Sequence, residues 1–135
     1  MEKPSSRTTP ALLTEMANRY PEREFVIDGD HRYTYAEFRA AARDYARGLY
    51  ALGMRRGSRM AILMDNRHEW LVAYFAAMSL GVEVVALNTW ATAPELAYQI
   101  RHADVGLLVA EERIRDKALD DVLAGISEAD PGLAC

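Results

Sequence analysis

Cysteine is almost missing from this chain: among 135 residues there is one, Cys135, at the last position. A single thiol cannot close an internal disulfide, so nothing in the sequence requires an oxidising compartment. A basic excess is missing as well. Sixteen Lys and Arg stand against twenty Asp and Glu, a formal charge of −4, which argues against a nucleic-acid binder built on a cationic face. There is no long hydrophobic run: the longest uncharged stretch, Trp70 to Val82, has 13 residues, and a membrane-spanning helix takes about twenty. Met1 to Pro10 contains no apolar block of the secretory kind, so the cytoplasm is the expected location. With half the residues apolar and 27% charged, the composition is that of a globular chain. Its length suits one domain and is too short for two.

The charge is unevenly placed. Residues 1–110 carry thirteen acidic and thirteen basic groups, whereas residues 111–135 carry seven and three. The acidic tail reads as a solvated helix face near the end of the chain.

Apolar spacing predicts the elements. Ala11 to Arg19 reads as a short helix with Leu12, Leu13, Met16 and Tyr20 on one side, stopped by Pro21. Phe25–Asp28 and Arg32–Thr34 read as strands of a hairpin turning at Gly29-Asp30-His31. From Thr34 to Leu52 the sequence predicts the strongest helix, with Phe38, Ala41, Ala42, Tyr45, Ala46, Leu49 and Leu52 in one stripe that should bury Phe38, Tyr45 and Leu49. Thr34 and Glu37 have capping-box spacing, and Gly53 supplies a left-handed stop. Strands are expected at 59–64, 82–87 and 106–109. Met60-Ala-Ile-Leu-Met64 is continuously apolar, as in a strand covered on both faces. Asn66 with Glu69, and Thr92 with Glu95, have the spacing to cap the helices that follow, 66–80 and 92–102. A last helix is expected from Glu111 to about Gly125. Three strands alternating with helices define an α/β protein with a partial parallel sheet, preceded by a short β-hairpin. The series looks unfinished, because the last helix is followed by no further strand.

Several catalytic signatures are missing. Gly53-Met-Arg-Arg-Gly57-Ser58 lacks the spacing and the lysine of a Walker loop, and no Gly-x-Gly-x-x-Gly follows a strand. Ala77-Met-Ser-Leu-Gly81 lacks the first glycine of a hydrolase elbow and reads as a helix end. His31, His68 and His102 are far apart in the chain. His68-Glu69 opens like the zinc-protease motif, but position 72 is valine, so no metal is expected. Asp28 and Asp30 flank a turn for backbone reasons, and Arg55, Arg56 and Arg59 read as a solvated basic turn.

Taken together, several segments carry a resemblance to one family. Arg32-Tyr-Thr-Tyr-Ala-Glu-Phe38 is similar to the Thr-Tyr-Ala-Glu-Leu helix start of adenylate-forming enzymes, among them acyl-CoA synthetases, peptide-synthetase adenylation domains and luciferases. Gly53 to Met64 resembles their Gly-x-x-x-Gly-Asp-x-Val-Ala strand start. Asp65-Asn-Arg-His-Glu-Trp-Leu71 resembles Pro-Asn-x-x-Glu-Phe. Gly81-Val-Glu-Val-Val-Ala-Leu-Asn88 followed by Thr92-Ala-Pro-Glu-Leu96 resembles Gly-Ala-x-x-Val-Pro-Leu-Asn … Thr-x-x-Glu-Leu. Ser58 and Asp65 depart from the family's usual Asp and Pro. Asn88-Thr-Trp90 and Tyr98 to Asp104 lean towards the fatty-acyl and carboxylate CoA-ligase branch.

The resemblance implies an ATP-dependent acyl-CoA synthetase. ATP and Mg²⁺ would convert a small carboxylic or fatty acid to an acyl-adenylate, and CoA would then take the acyl group. It also implies that residues 1–135 are the opening part of the large N-terminal AMP-binding domain, with no second domain. The family's phosphate-gripping loop, magnesium-associated glutamate, ribose-binding aspartate and C-terminal lysine fall later in its sequences. The segment by itself is therefore expected to be inactive, to contain no catalytic or metal-binding residue and to need the rest of the synthetase chain. In CoA-forming relatives the regions matching Asn88, Thr89, Trp90 and Arg115 approach CoA, so these four are the candidate contacts: Trp90 for stacking on an adenine, Arg115 for a phosphate. Their structural alternatives are a turn for Asn88, core or lid packing for Trp90 and a helix-surface charge for Arg115. A free-standing α/β binding module and an adenylation domain that loads a carrier protein are the alternatives for the whole.

Overall fold

The computed structural model describes residues 3–133; Cys135 lies outside them. The chain forms two compact units that interleave along the sequence. One comprises residues up to 56 together with 67–82, and the other 57–66 together with 83 onward.

The first unit begins with helix α1 (Thr9–Arg19), which carries proline in its first turn, where the missing N–H costs nothing. A hairpin follows, β1 (Glu24–Asp28) and β2 (His31–Thr34), antiparallel with a bulge near Glu24. Helix α2 (Tyr35–Ala51) opens on the expected capping box. The Glu37 N–H donates to Thr34 Oγ1 at 3.2 Å and the Thr34 N–H to Glu37 Oε2 at 2.8 Å. Phe38 and Leu49 are buried as the spacing predicts, while Tyr45 is half-buried and Leu52, past the last helical turn, is exposed. Helix α3 (His68–Leu80) ends at Gly81, whose φ of 71° is left-handed and where a Cβ would come within 3.0 Å of Arg56. The core of this unit is Leu13, Val26, Phe38, Ala42 and Val72. Phe38 meets Phe25 and Phe75 edge-on at 5.1 and 5.3 Å, the geometry that aromatic quadrupoles favour.

Asn66 does not cap α3. Arg67 occupies the N-cap position in extended conformation and offers no side-chain cap. The His68 N–H instead donates at 2.9 Å to Asp28 Oδ2, forty residues earlier. The orphan donor at a helix start is satisfied from the hairpin, a partner that local spacing cannot reveal.

The second unit holds a parallel sheet in the order β4-β3-β5, formed by β3 (Arg59–Leu63), β4 (Glu83–Ala86) and β5 (Leu107–Ala110). Met60 to Leu63 are completely buried, as their unbroken apolar run requires. Helix α4 (Ala93–His102) starts where Glu95 Oε2 accepts the Thr92 N–H at 2.7 Å. Its Leu96, Ala97 and Ile100 pack with Ala61, Leu63 and Leu87 of the sheet and with Ile114, Val122 and Ile126.

The expected helix from Glu111 is not formed. Residues Arg113–Ile114 (β6) and Lys117–Ala118 (β7) make a miniature hairpin, and helix α5 runs over Leu119–Ala129. The reason is the apolar phase. Leu119, Val122, Leu123 and Ile126 repeat at helical spacing only from 119 onward, and Asp120 and Asp121 then fall in the first turn, where acidic groups favour the helix dipole. Arg113 and Asp116, which look like a solvated helix face, instead hold a turn through an Arg113–Asp116 carbonyl hydrogen bond of 2.7 Å. Among the described residues no helix is long and apolar enough to cross a membrane.

Candidate functional site at the carboxyl ends of the parallel strands

Parallel strands in register bring their carboxyl ends together, and in open α/β sheets that end is where ligands bind. Here it gathers Asp65 after β3, Asn88 to Trp90 after β4 and Glu111 after β5. The three connections are tied to one another. The Asp65 N–H donates to Glu111 Oε1 at 2.6 Å, and the Thr89 hydroxyl donates to Asp65 Oδ1 at 2.7 Å. Asn88 shapes its own turn: its Oδ1 accepts the Trp90 N–H at 3.0 Å, and its carbonyl accepts the Ala91 N–H at 3.0 Å. The first is the side-chain turn bond that asparagine makes readily, the second an ordinary backbone turn bond.

That turn holds Trp90 out of the core, with 72% of it exposed. The Arg115 guanidinium lies 2.9 Å from the centre of the Trp90 ring. Arg115 is not a helix-surface charge. It occupies the β6–β7 turn with φ of 57°, in the left-handed region, which costs a non-glycine residue on the order of 1 kcal/mol or more. A cation–π contact at an exposed ring returns about 0.5–1 kcal/mol. Placing a cation against an aromatic face thus offsets part of that strain.

Beside this pair lies a cleft of about 780 Å³. Its floor is apolar, from Leu96, Ile114 and Val122, and its rim carries Asp65, Thr89, Trp90, Arg115, Asp116, Lys117 and Asp121. Three of the four sequence-predicted contacts, Thr89, Trp90 and Arg115, meet here. Asn88 shapes the turn and lies outside the lining. Asp65, Glu111 and Lys117 were not among the contacts read from the sequence. The end of a predicted parallel strand was the available signal for Asp65, directly after 59–64, and for Glu111, two residues past 106–109, whereas Lys117 depends on a hairpin that helical spacing concealed.

The arrangement combines one exposed aromatic face, a cation in the β6–β7 turn (Arg115), a second at the start of β7 (Lys117) and an apolar floor. It can take a flat ring bearing anionic groups. Asp65 is engaged by Thr89, but Asp116 and Asp121 add negative charge, so the cations set where an anion can sit. The basic turn at 55–59 makes no comparable site. Arg55 stacks on Tyr50 at 3.5 Å, and Arg59 pairs with Glu83 and Asp104 at 3.1 and 3.0 Å.

The α/β architecture is the one found in the N-terminal domains of adenylate-forming enzymes. The chain belongs to the AMP-binding enzyme family, whose model matches residues 13–132. It is 37% identical over 103 residues to the 2-succinylbenzoate–CoA ligase of Bacillus licheniformis, an alignment covering 76% of this chain and 22% of that protein. The inhibitor-bound N-terminal domain of FACL13 from Mycobacterium tuberculosis superposes with a TM-score of 0.83 at 28% identity, over 93% of this chain and 31% of that one. O-succinylbenzoate coenzyme A synthetase (MenE) from Bacillus subtilis, in complex with ATP and magnesium ion, gives a TM-score of 0.73 at 34% identity, over 78% and 28% of the two chains. The chain spans less than a quarter of the length of the curated relatives it matches, 23% and 22% for two of them.

Proposed function

We propose that residues 1–135 are the opening part of the large N-terminal domain of an AMP-forming carboxylate–CoA ligase, and that the Trp90–Arg115 cleft contacts CoA. In the first half-reaction a carboxylate oxygen attacks the α-phosphorus of ATP, giving acyl-adenylate and pyrophosphate. In the second the CoA thiol attacks the acyl carbon and AMP leaves. The observation that carries the CoA assignment is the exposed indole with a guanidinium against it on the rim of the cleft. Stacking on an adenine and pairing with a phosphate are the two interactions that the nucleotide end of CoA requires.

The residues present fit that role better than they fit the triphosphate. Among the described residues no glycine-rich loop with a lysine lines the cleft, and backbone donors, a lysine and Mg²⁺ are what offset charge at an α-phosphate. We therefore assign ATP and Mg²⁺ to other segments of the synthetase and expect no adenylation by residues 1–135 alone. The relatives named above support the CoA-ligase branch over a carrier-protein-loading one. The acyl substrate is a carboxylic or fatty acid of undefined length.

The test uses a synthetase that contains this segment. Arg115→Ala and Trp90→Ala should leave ATP–pyrophosphate exchange within about twofold and raise KM for CoA on the order of tenfold, the loss of one charged or stacking contact. An equal loss of both half-reactions would remove the CoA assignment. Transfer to a carrier protein with none to CoA would move the enzyme to the other branch. Exchange by the 135-residue chain alone would overturn the expected inactivity.

A further inference from the structure

In the first unit, β1, β2 and the start of α3 converge on one imidazole. His68 is 9% exposed. Its Nδ1 lies 2.9 Å from Asp28 Oδ2 and 3.2 Å from Glu69 Oε2. The His31 ring stacks on it at 4.5 Å, and the Tyr33 ring lies at 5.5 Å. One Nδ1–H cannot make straight hydrogen bonds to two carboxylates at once, so this corner holds more acceptor than the proton can satisfy.

We propose that Asp28, His68 and Glu69 bind a divalent cation of the zinc class. One ligand atom from each residue lies within 4.8 Å of the other two. An ion with bonds near 2.0–2.1 Å holds tetrahedral donors about 3.3 Å apart. The two separations from Nδ1 are already close to that, so the ion replaces a proton with little movement. Two carboxylates and a neutral imidazole balance a 2+ charge. Both carboxyls are held below their usual range, Asp28 by its bonds from His68 and Glu69 by its bond from Arg67, so both are anionic at neutral pH. The nitrogen donor selects Zn²⁺, Co²⁺ or Ni²⁺ over Mg²⁺ and Ca²⁺, which prefer all-oxygen sites. Burial and the stacked His31 fix the His68 ring, and three protein donors leave a fourth position for water. One neighbour competes. Arg67 grips Glu69 with two bonds, 2.8 Å to Oε2 and 2.6 Å to Oε1, and that grip must loosen for Oε2 to take the metal. Bound, the ion would pin the hairpin to the start of α3. The proposal does not depend on the CoA-ligase reading.

The experiment is Zn²⁺ titration of the full 135-residue chain carrying Cys135→Ser, which removes the thiol as a rival ligand. Calorimetry is followed by ¹⁵N imidazole spectra, and Co²⁺ serves as the optical probe. One Zn²⁺ should bind, with the coordination shift at Nδ1 of His68. Asp28→Asn retains an acceptor for the His68 N–H and should weaken binding on the order of tenfold or more. Arg67→Ala should tighten it. If the aspartate variant fails to fold, the imidazole spectra of the parent chain and the Arg67 variant still decide. No saturable binding at millimolar Zn²⁺, shifts confined to His31 or His102, or unchanged affinity in both variants would overturn the proposal.

Discussion

At the scale of single residues, Glu15 is held by several donors at once. Its carboxylate accepts backbone N–H bonds from Ser5 and Ser6 at 3.0 and 2.8 Å and pairs with Arg19 at 2.7 Å. The Ser6 hydroxyl and the two N–H donors lower its pKa from 4.5 to about 2. A carboxyl whose folded pKa is depressed stabilises the fold fully above its unfolded value and loses that contribution as pH falls through the folded one. Glu15 should therefore tie the N-terminal segment to α1 down to about pH 4.5 and release it progressively towards pH 2. The carboxylate ¹³C chemical shift of Glu15 followed against pH checks this, and a midpoint near 4.5 would contradict it. Arg115 and His68 show the limits of reading residues one at a time. The first looks like a helix-surface charge and the second like a failed zinc motif. Each acquires its chemistry from a neighbour distant in sequence, Trp90 or Asp28.

At the scale of elements, the apolar stripes did most of the organising. The stripe of α2 packs a ring, Phe38, that is completely buried among Phe25, Tyr33 and Phe75. Phe38→Ala should cost about 3–5 kcal/mol, the transfer loss of a buried phenyl plus the cavity left behind. Urea denaturation with an unchanged m-value measures it, and a loss below about 1 kcal/mol would mean that the site collapses freely. The helices capped by their own residues, α2 and α4, start where the sequence predicts. Those that depend on something else do not. The first donor of α3 goes to Asp28, and α5 begins eight residues late because β6 and β7 pair first. The three parallel strands were legible to within one residue at each end.

At the scale of the whole molecule, β3 lies between β4 and β5, so both outer strands present unpaired edges among the described residues. Along β5 the edge is accompanied by an apolar cleft of about 420 Å³ that Leu107, Leu119, Leu123 and Leu133 help to line. An unpaired strand beside half-buried apolar side chains invites pairing with another chain. The 135-residue chain alone should therefore associate as its concentration rises. Sedimentation velocity over a concentration series checks this, and a monomer throughout would favour a free-standing module.

Periodicity and capping chemistry were sufficient, in the sequence by itself, to determine the α/β class, the parallel order of alternation and the buried faces. Those signals are carried by residues a few positions apart, where backbone geometry alone dictates which side chains are neighbours. Motif order was sufficient for the family. Tertiary structure alone decided which residues meet at the strand ends, that Arg115 lies against Trp90 and that Asp28 caps α3 while facing His68 and Glu69. These contacts join positions up to forty-six residues apart. Their partners are chosen by strand register and hairpin pairing, which no local pattern encodes.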